Sequence, residues 1–173
     1  EGARLLAEKG VEGFSLRQIA LRTGVTVAAP SHHFGSAKGL LTAIATEGFT
    51  RLATQLRQAR ETANDPDDAI TAICRAYVET VVNDPGYARV MFRLDLLDPE
   101  NEGFRTSAFA AFGVLKAALA KAVPEGVTTD QISTATKTLW ATMHGLVALP
   151  MIEDDETEQV IRAAVGAQLS RLR

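Results

Sequence analysis

Three histidines are the residues of this 173-residue chain that could serve the largest number of chemical roles. His32 and His33 are adjacent in the segment GVTVAAPSHHFGSAKGLL (residues 24–41), and imidazole can bind a metal, transfer a proton or contact a phosphate. Neighbouring residues on a helix point about 100° apart, so this pair cannot ligate one ion without distortion. No Cys, Asp or Glu stands at ligand spacing around the pair. We therefore predict no metal and no cofactor, and His33 stays open between a phosphate contact and helix packing.

His144 is the third histidine, one helical turn beyond Trp140 in an apolar segment. One interpretation is a hydrogen-bonded core histidine, and the other is the polar anchor of a ligand cavity inside a helical bundle. The other candidate lining residues of such a cavity are Tyr77, Met91, Phe109, Phe112, Trp140 and Met143. No nucleophile motif accompanies His144, so we expect no catalysis and predict that the chain is not an enzyme.

The composition bounds the class of protein that carries these side chains. Apolar residues make up 46% and charged residues 23%, as in ordinary globular proteins, and no apolar run approaches the roughly 20 residues of a membrane helix. Cys74 is the single cysteine, so no internal disulfide can form and a cytoplasmic location is expected. Residues 1–9 already have a helical pattern, and we expect that residues are missing upstream of Glu1.

The charge is unevenly distributed along the chain. The net charge of −3 by itself argues against nucleic-acid binding. Residues 1–60, however, hold eight Lys/Arg and four Glu, a balance of +4, which leaves −7 for the remainder. This asymmetry indicates either a basic nucleic-acid-binding head on an acidic body or simply a solvated charged face.

The apolar periodicity predicts an all-α fold, since no strand-like alternation is present. Ser15 and Gln18 are spaced as a capping box for a short helix that ends at Gly24. Thr26 or Val27 is the N-cap candidate of the next helix, which places Pro30 within its first turn. Ile19, Ala20 and Val25 are expected to lock these two short helices together. Further helices are predicted over residues 36–60, from Asp65-Pro66 onward, and over 87–97, 101–123, 128–149 (capped by Thr128 and Gln131) and 154–172.

The last two predicted helices are apolar enough to form an interface. The helix over 128–149 is apolar on more than one side, and the helix over 154–172 has near-heptad apolar spacing. Such stripes are core in most proteins, but they also suit a four-helix dimer interface. Both interpretations stay open. The acidic run at 153–158 fits a helix N-terminus, where the helix dipole favours negative charge.

Residues 14–41 have the plan of a helix-turn-helix, with a capped helix, a tight turn at Gly24, a second short helix and then a long helix. The second helix of such a motif enters the DNA major groove by its N-terminal end. Thr26, Val27 and Ala28 would then meet base edges. The candidates for phosphate contacts are Ser15, Arg17, Ser31, His32, His33 and Lys38.

This stretch resembles the DNA-binding segment of tetracycline-repressor (TetR) family transcriptional regulators. The matches in register are Ser15, Arg17, Ile19, Ala20, Gly24, Val25, Thr26, His33, Phe34, Ser36, Leu40 and Leu41. Downstream, Trp140, His144 and Gly145 are similar to the Trp/His/Gly signature of one TetR-type C-terminal subgroup, to which the Ala-Ala-Pro at 28–30 is also similar.

The chain departs from the family pattern at two positions. Ser31 stands where the family usually has Tyr, and Ala37 stands where it usually has Lys, with Lys38 one place later. In the family these two side chains contact DNA phosphates, so the departures imply weaker contact with the DNA backbone. Ser31 can still donate one hydrogen bond, and Lys38 can reach a phosphate from its shifted position.

The resemblance implies a DNA-binding head (residues 1–46) and a ligand-binding, dimerising body (residues 47–173). It further implies a repressor that dimerises through the last two helices, binds a double-stranded operator and releases it when a small apolar or amphipathic ligand binds. The ligand would act by shifting the long helix that begins near Ser36, which changes the spacing of the two heads. The alternative is a helical ligand-binding or adaptor protein whose DNA binding is weakened or lost.

Overall fold

The computed structural model describes residues 1–149 and 154–173, and every regular element in these two ranges is an α-helix. The all-α prediction is confirmed. In chain order the helices are α1 (Gly2–Lys9), α2 (Leu16–Thr23), α3 (Ala28–Phe34), α4 (Ala37–Glu61), α5 (Pro66–Asn83), α6 (Pro85–Met91), α7 (Glu102–Ala122), α8 (Thr129–Ala148) and α9 (Asp154–Leu172). None of the described helices is long and apolar enough to cross a membrane.

Local capping explains several helix starts. The Asp65 carboxylate accepts hydrogen bonds from the backbone N–H groups of Asp67 and Asp68, both at 2.9 Å, as expected at the start of α5. Thr128 and Gln131 form the predicted reciprocal capping box of α8. The first residue of the acidic run at 153–158 lies outside the described residues.

The prediction of a helix over 87–97 was wrong at both ends. α6 begins earlier, at Pro85, because the fixed φ of proline suits the first turn of a helix. It also ends earlier, at Met91, and residues 92 and 94–96 form turns. There the N–H of Arg93 donates to the carbonyl of Val90, three residues back instead of four.

The chain forms two compact units, and the first comprises residues 1–51 and 83–109. Helices α1 and α6 approach closely, since a Cβ atom added to Gly86 would stand 2.0 Å from the carbonyl oxygen of Ala3. A buried hydroxyl ties the loop after α6 to α4. Thr42, 3% exposed, donates to the carbonyl of Lys38 (2.8 Å) and accepts from the N–H of Asp98 (2.9 Å).

The second unit comprises residues 52–82 and 110–173, as far as the latter are described. The predicted apolar stripe of α9 is core within the single chain, because Ile161, Val165, Leu169 and Leu172 are all buried. Arg75 on α5 donates two hydrogen bonds to Glu158 on α9, at 2.7 and 2.9 Å. These units are defined by packing, and the functional boundary between residues 46 and 47 stays a prediction.

Candidate nucleic-acid interface

Helix α2 begins with a side-chain cap. The hydroxyl of Ser15 accepts a hydrogen bond from the N–H of Gln18 at 3.2 Å, as predicted. The reciprocal half of the predicted capping box does not form, because the side-chain oxygen of Gln18 is buried without a hydrogen-bond partner. The predicted Ser15–Gln18 box is therefore corrected to a single cap by Ser15.

A tight turn at Gly24 joins α2 to α3. Gly24 has left-handed backbone angles (φ 69°, ψ 23°), and its N–H donates to the carbonyl of Ala20. Glycine reaches this conformation without steric strain, as the helix-turn-helix interpretation requires. Ile19 and Ala20 are buried and helices α2 and α3 pack together, both as predicted.

The prediction that Val25 locks these helices together was wrong, since its side chain is 47% exposed. The N–H of Val25 also donates to the carbonyl of Ala20, at 3.1 Å. This bond fixes the main chain of Val25 at the turn, while the side chain remains at the surface.

Helix α3, the predicted recognition helix, begins without a side-chain cap. Its N-cap residue is Val27, one of the two predicted candidates, and not Thr26. Thr26 contributes its carbonyl instead, which accepts from the N–H of Ala29 at 3.0 Å. Pro30 is buried as the third residue of α3. This placement in the first turn is as predicted, and the missing N–H of proline removes at most one helical bond there.

The residues predicted to contact DNA lie on three helices and the turn. Arg17 is in the first turn of α2 and Lys38 in the first turn of α4, while Ser15 is half-buried at its cap position. The others are exposed at or within α3, namely Thr26, Val27, Ala28, Ser31, His32 and His33. Their DNA contacts stay predictions.

Two cations of this surface are not paired with a carboxylate of the described residues. Within the described ranges, Arg17 and Lys38 form no ion pair. Arg22 is different, because its guanidinium donates to the Glu8 carboxylate and lowers the pKa of that carboxyl. We therefore count Arg17 and Lys38, and not Arg22, as available for phosphate groups.

The histidine pair is exposed at the end of α3. The ring of His33 stands edge-on to the ring of its neighbour Phe34, with 4.5 Å between the centroids. In the part of the chain that the structure describes, no three His, Cys, Asp or Glu side chains come close enough together to hold a metal ion.

An aromatic cluster in the second unit contains four of the seven residues predicted to line a ligand pocket. The hydroxyl of Tyr77 on α5 lies 3.1 Å from Nδ1 of His144 on α8. The Trp140 ring contacts both Tyr77 and Phe112, with centroid distances of 4.9 and 5.6 Å. Burial raises the pKa of Tyr77, so its hydroxyl stays protonated and can donate to Nδ1.

The other three predicted pocket residues have different surroundings. Met143 on α8 is buried. Met91 is buried on α6, and its sulfur would lie 2.6 Å from a Cβ atom added to Gly48 of α4, so packing within the first unit accounts for it. Phe109 is 67% exposed beside an open cleft lined by Glu100, Glu102, Arg105 and Thr106, which does not fit the enclosed wall expected of it.

Sequence reasoning missed two features of this molecule. Leu21 on α2 is 69% exposed, close in sequence to the exposed Val25 and Val27. Helical phase was the available signal for Leu21, since it lies two residues after the buried Ile19 and therefore about 200° around α2 from it. The hydrogen bond between Tyr77 and His144 joins residues 67 positions apart, and spacing alone gives no signal for it.

Comparison with known families covers most of the chain. A family model described as "Bacterial regulatory proteins, tetR family" matches residues 1–44, and one described as "Tetracyclin repressor-like, C-terminal domain" matches residues 70–167. The second match alone spans more than half of the chain. The finer assignment to the Trp/His/Gly subgroup stays a prediction. A search of curated proteins found no match.

Solved structures share the fold. A protein of unknown function from Rhodococcus sp. RHA1 is 27% identical, with a TM-score of 0.82 over 99% of this chain and 91% of that one. PfmR, a TetR family regulator from Thermus thermophilus, is 24% identical, with a TM-score of 0.73 over 98% and 91%. AibR, solved with isovaleryl coenzyme A and operator DNA, is 19% identical, with a TM-score of 0.70 over 96% and 93%. From the two family matches, with the turn geometry at Gly24, the chain belongs to the tetracycline-repressor family of bacterial transcriptional regulators.

Proposed function

We propose that this DNA-binding regulator is a homodimeric repressor of the cytoplasm, without catalytic activity, that leaves its operator when a small apolar or amphipathic molecule binds. Residues 1–46 form its DNA-binding head and residues 47–173 its ligand-binding and dimerising body. The observation that carries the proposal is the capped α2, the left-handed turn at Gly24 and the exposed start of α3. Two such heads related by a twofold axis suit a pseudo-palindromic operator.

The proposed phosphate contacts of the head come from exposed side chains. Arg17 and Lys38 are exposed and form no ion pair among the described residues, and Ser31 and His32 are exposed on α3. Such contacts fix the position of a protein on DNA and make its affinity fall steeply with salt.

Two glycines in helices of the body support dimerisation through α8 and α9. A Cβ atom added to Gly145 or Gly166 would meet no atom of the described residues within 4 Å. Glycine inside a helix destabilises it by about 1 kcal/mol relative to alanine, and nothing within the described chain requires it at either position. Around Gly166, the exposed face of α9 includes the small residues Ala163, Ala167 and Ser170, with Arg162 one turn before the glycine. Small residues let two helices approach closely, so we place a partner's helices here.

The ligand site is proposed beside the aromatic cluster of Tyr77, Phe112, Trp140 and His144. These side chains combine apolar rings with one polar pair, the composition typical of sites for small amphipathic molecules. AibR, which shares this fold, was solved with both isovaleryl coenzyme A and operator DNA. A regulator of this fold can therefore carry both a small-molecule site and a DNA-binding surface.

The test of DNA binding is fluorescence anisotropy on duplexes from the DNA upstream of the protein's own gene, across a salt series. We expect specific binding whose affinity falls steeply with salt. Lys38→Ala and Arg17→Ala should each reduce the slope of log K against log[salt] by about 1 per lost contact. Lys121→Ala, which removes an exposed cation from the last turn of α7, is the matched control and should leave the slope unchanged.

The alternative, a ligand-binding or adaptor protein without DNA binding, has one specific observation in its favour. Ser31 and Ala37 replace the aromatic and the lysine that the family resemblance leads one to expect. Absence of binding to every duplex at low salt would favour this alternative. Ser31→Tyr separates weak from lost binding, since it should raise affinity if the head still docks on DNA.

The ligand site can be followed through Trp140, the single tryptophan of the chain. Isovaleryl coenzyme A and the apolar dye 8-anilinonaphthalene-1-sulfonate are suitable probes, and binding beside the cluster should change the Trp140 emission. Tyr77→Phe removes the bond to His144 and should weaken binding. A probe that saturates the protein and changes Trp140 emission, yet leaves operator affinity unchanged, would overturn ligand-driven release.

A further inference from the structure

An apolar surface lies at the start of the recognition helix. Seven large hydrophobic side chains are exposed in the described part of the chain, and three of them lie within seven residues, Leu21 (69%), Val25 (47%) and Val27 (56%). Ala28, the first residue of α3, is also exposed. Exposed apolar side chains at the start of a recognition helix are available for apolar contacts with a bound molecule.

This surface has little hydrogen-bonding capacity. Across the segment VTVAAP (residues 25–30), Thr26 has the only side chain with a donor or acceptor. Its hydroxyl is exposed and does not cap α3, since the N-cap residue is Val27. The residues that a helix-turn-helix presents first to base edges are therefore almost entirely apolar here.

The base edges of the major groove are polar with one exception. Guanine, cytosine and adenine present only donors and acceptors there, whereas thymine presents an acceptor and its C5-methyl group. An apolar side chain placed over one of the first three bases would bury polar groups of that base. These groups would lose their hydrogen bonds to water and gain none from the protein. Apolar residues at these positions therefore favour a methyl group.

We infer that the protein recognises its operator half-site through C5-methyl groups of pyrimidines, packed against Val25, Val27 and Ala28. Thr26 supplies the single direct hydrogen bond to a base edge in this segment. The inference rests on the proposed DNA-binding function and deepens it. Thymine is one source of the methyl group and 5-methylcytosine the other.

The DNA side of the test begins with selection from a random duplex library at moderate salt. We expect enriched sequences with thymines at symmetric positions in the two half-sites. Replacing those thymines singly by deoxyuridine removes only the methyl group, and should weaken binding about fourfold for each methyl that is buried. Cytosine paired with guanine at the same position should bind more weakly still, and 5-methylcytosine should recover part of that loss.

The test on the protein uses a substitution whose effect on DNA binding cannot be attributed to unfolding. Val27→Thr keeps the shape of the side chain and replaces one methyl by a hydroxyl, and threonine is a better N-cap than valine. We expect Val27→Thr to reduce the preference for thymine over deoxyuridine at one position of each half-site. Ala28→Gly should do the same at a neighbouring position. Lys38→Ala is the control and should weaken binding to both duplexes by the same factor.

The outcomes separate this inference from the proposed function. Specific binding with equal affinity for thymine and deoxyuridine duplexes would overturn methyl recognition and leave the regulator intact. In that case, replacing guanine–cytosine pairs by inosine–cytosine pairs, which changes the minor groove, should alter affinity. That result would assign specificity to DNA shape. No enrichment and no binding at low salt would overturn the proposed function itself.

Discussion

The helix glycines of the two units have opposite surroundings. In the first unit, a Cβ atom on Gly48 or Gly86 would stand 2.6 or 2.0 Å from a neighbouring atom. In the second unit, a Cβ atom on Gly113, Gly145 or Gly166 would meet nothing within 4 Å among the described residues. The first unit thus needs its glycines for its own packing, whereas the second has space that another molecule can fill.

Two polar contacts, one in each unit, differ in their burial. Thr42 of the first unit is buried, and its hydroxyl bonds to two backbone groups. In the second unit the pair between Arg75 and Glu158 is more than a third exposed on both sides. Substitutions at packed positions such as Gly86 and Thr42 should therefore act on folding, whereas substitutions at the open glycines of α8 and α9 should act on association as well.

Gly86→Ala should have the largest effect. The added Cβ would collide with the backbone of Ala3, which can move only if α1 moves. We expect a loss of about 3 kcal/mol in the free energy of unfolding, at the upper end for overpacked sites. Urea denaturation measures it. Gly113→Ala is the matched control, and should stabilise the protein by about 0.5–1 kcal/mol because its site is open. Equal effects of the two substitutions would remove the contrast between the units.

Thr42→Val should rank second. Valine preserves the shape but leaves the N–H of Asp98 without its acceptor, and such a loss costs about 1–3 kcal/mol. Thermal denaturation compared with Thr42→Ser, which keeps the hydroxyl, isolates the hydrogen bond. If both variants lost equal stability, packing and not the bond would hold the loop.

Gly145→Ala and Gly166→Ala should change folding and association in opposite directions. Each should stabilise the isolated chain by about 0.5–1 kcal/mol through helix propensity. Each should also raise the dissociation constant of the dimer by about tenfold, since overpacking costs about 1–3 kcal/mol. Sedimentation equilibrium and denaturation of dilute protein measure the two effects. A dimer of unchanged affinity would place the interface elsewhere.

Glu158→Gln should have the smallest effect, below about 1 kcal/mol at neutral pH, because the pair is partly solvent-screened. Arg75 lowers the pKa of Glu158, so the stabilisation is complete above the ordinary glutamate pKa of about 4.3. It is lost as the pH falls through the lower pKa of the folded state. The difference in unfolding free energy between the native protein and this variant should therefore shrink as the pH falls. Denaturation at a series of pH values from about 3 to 7 measures this difference. A difference that stays constant with pH would assign the effect to packing.

The features that were predicted correctly from the sequence are those that depend on residues close together in the chain. The caps by Asp65 and Thr128 and the turn at Gly24 follow from residues two to four positions apart. The exposure of Val25 was not predictable in this way, because the turn resets the helical phase that places a side chain inside or outside.

Contacts between residues distant in sequence were out of reach. Gly86 approaches Ala3 across two different helices, and the apolar periodicity within one helix says nothing about the other. The local sequence around Gly86 gives no signal for this contact either. The bond from Tyr77 to His144 is similar, since both residues were predicted near a ligand but not as partners. For the DNA interface, sequence predicted the residues but not which of their side chains remain exposed.

The contact of Gly86 with Ala3 has a consequence for exchanging parts between related regulators. The compact unit that contains α2 and α3 is discontinuous, since it also includes residues 83–109. A chimera joined after residue 46 would keep Ala3 but replace the glycine that it packs against. Transplanting DNA specificity should therefore succeed by changing only the surface of α3, or by moving both segments of the unit together.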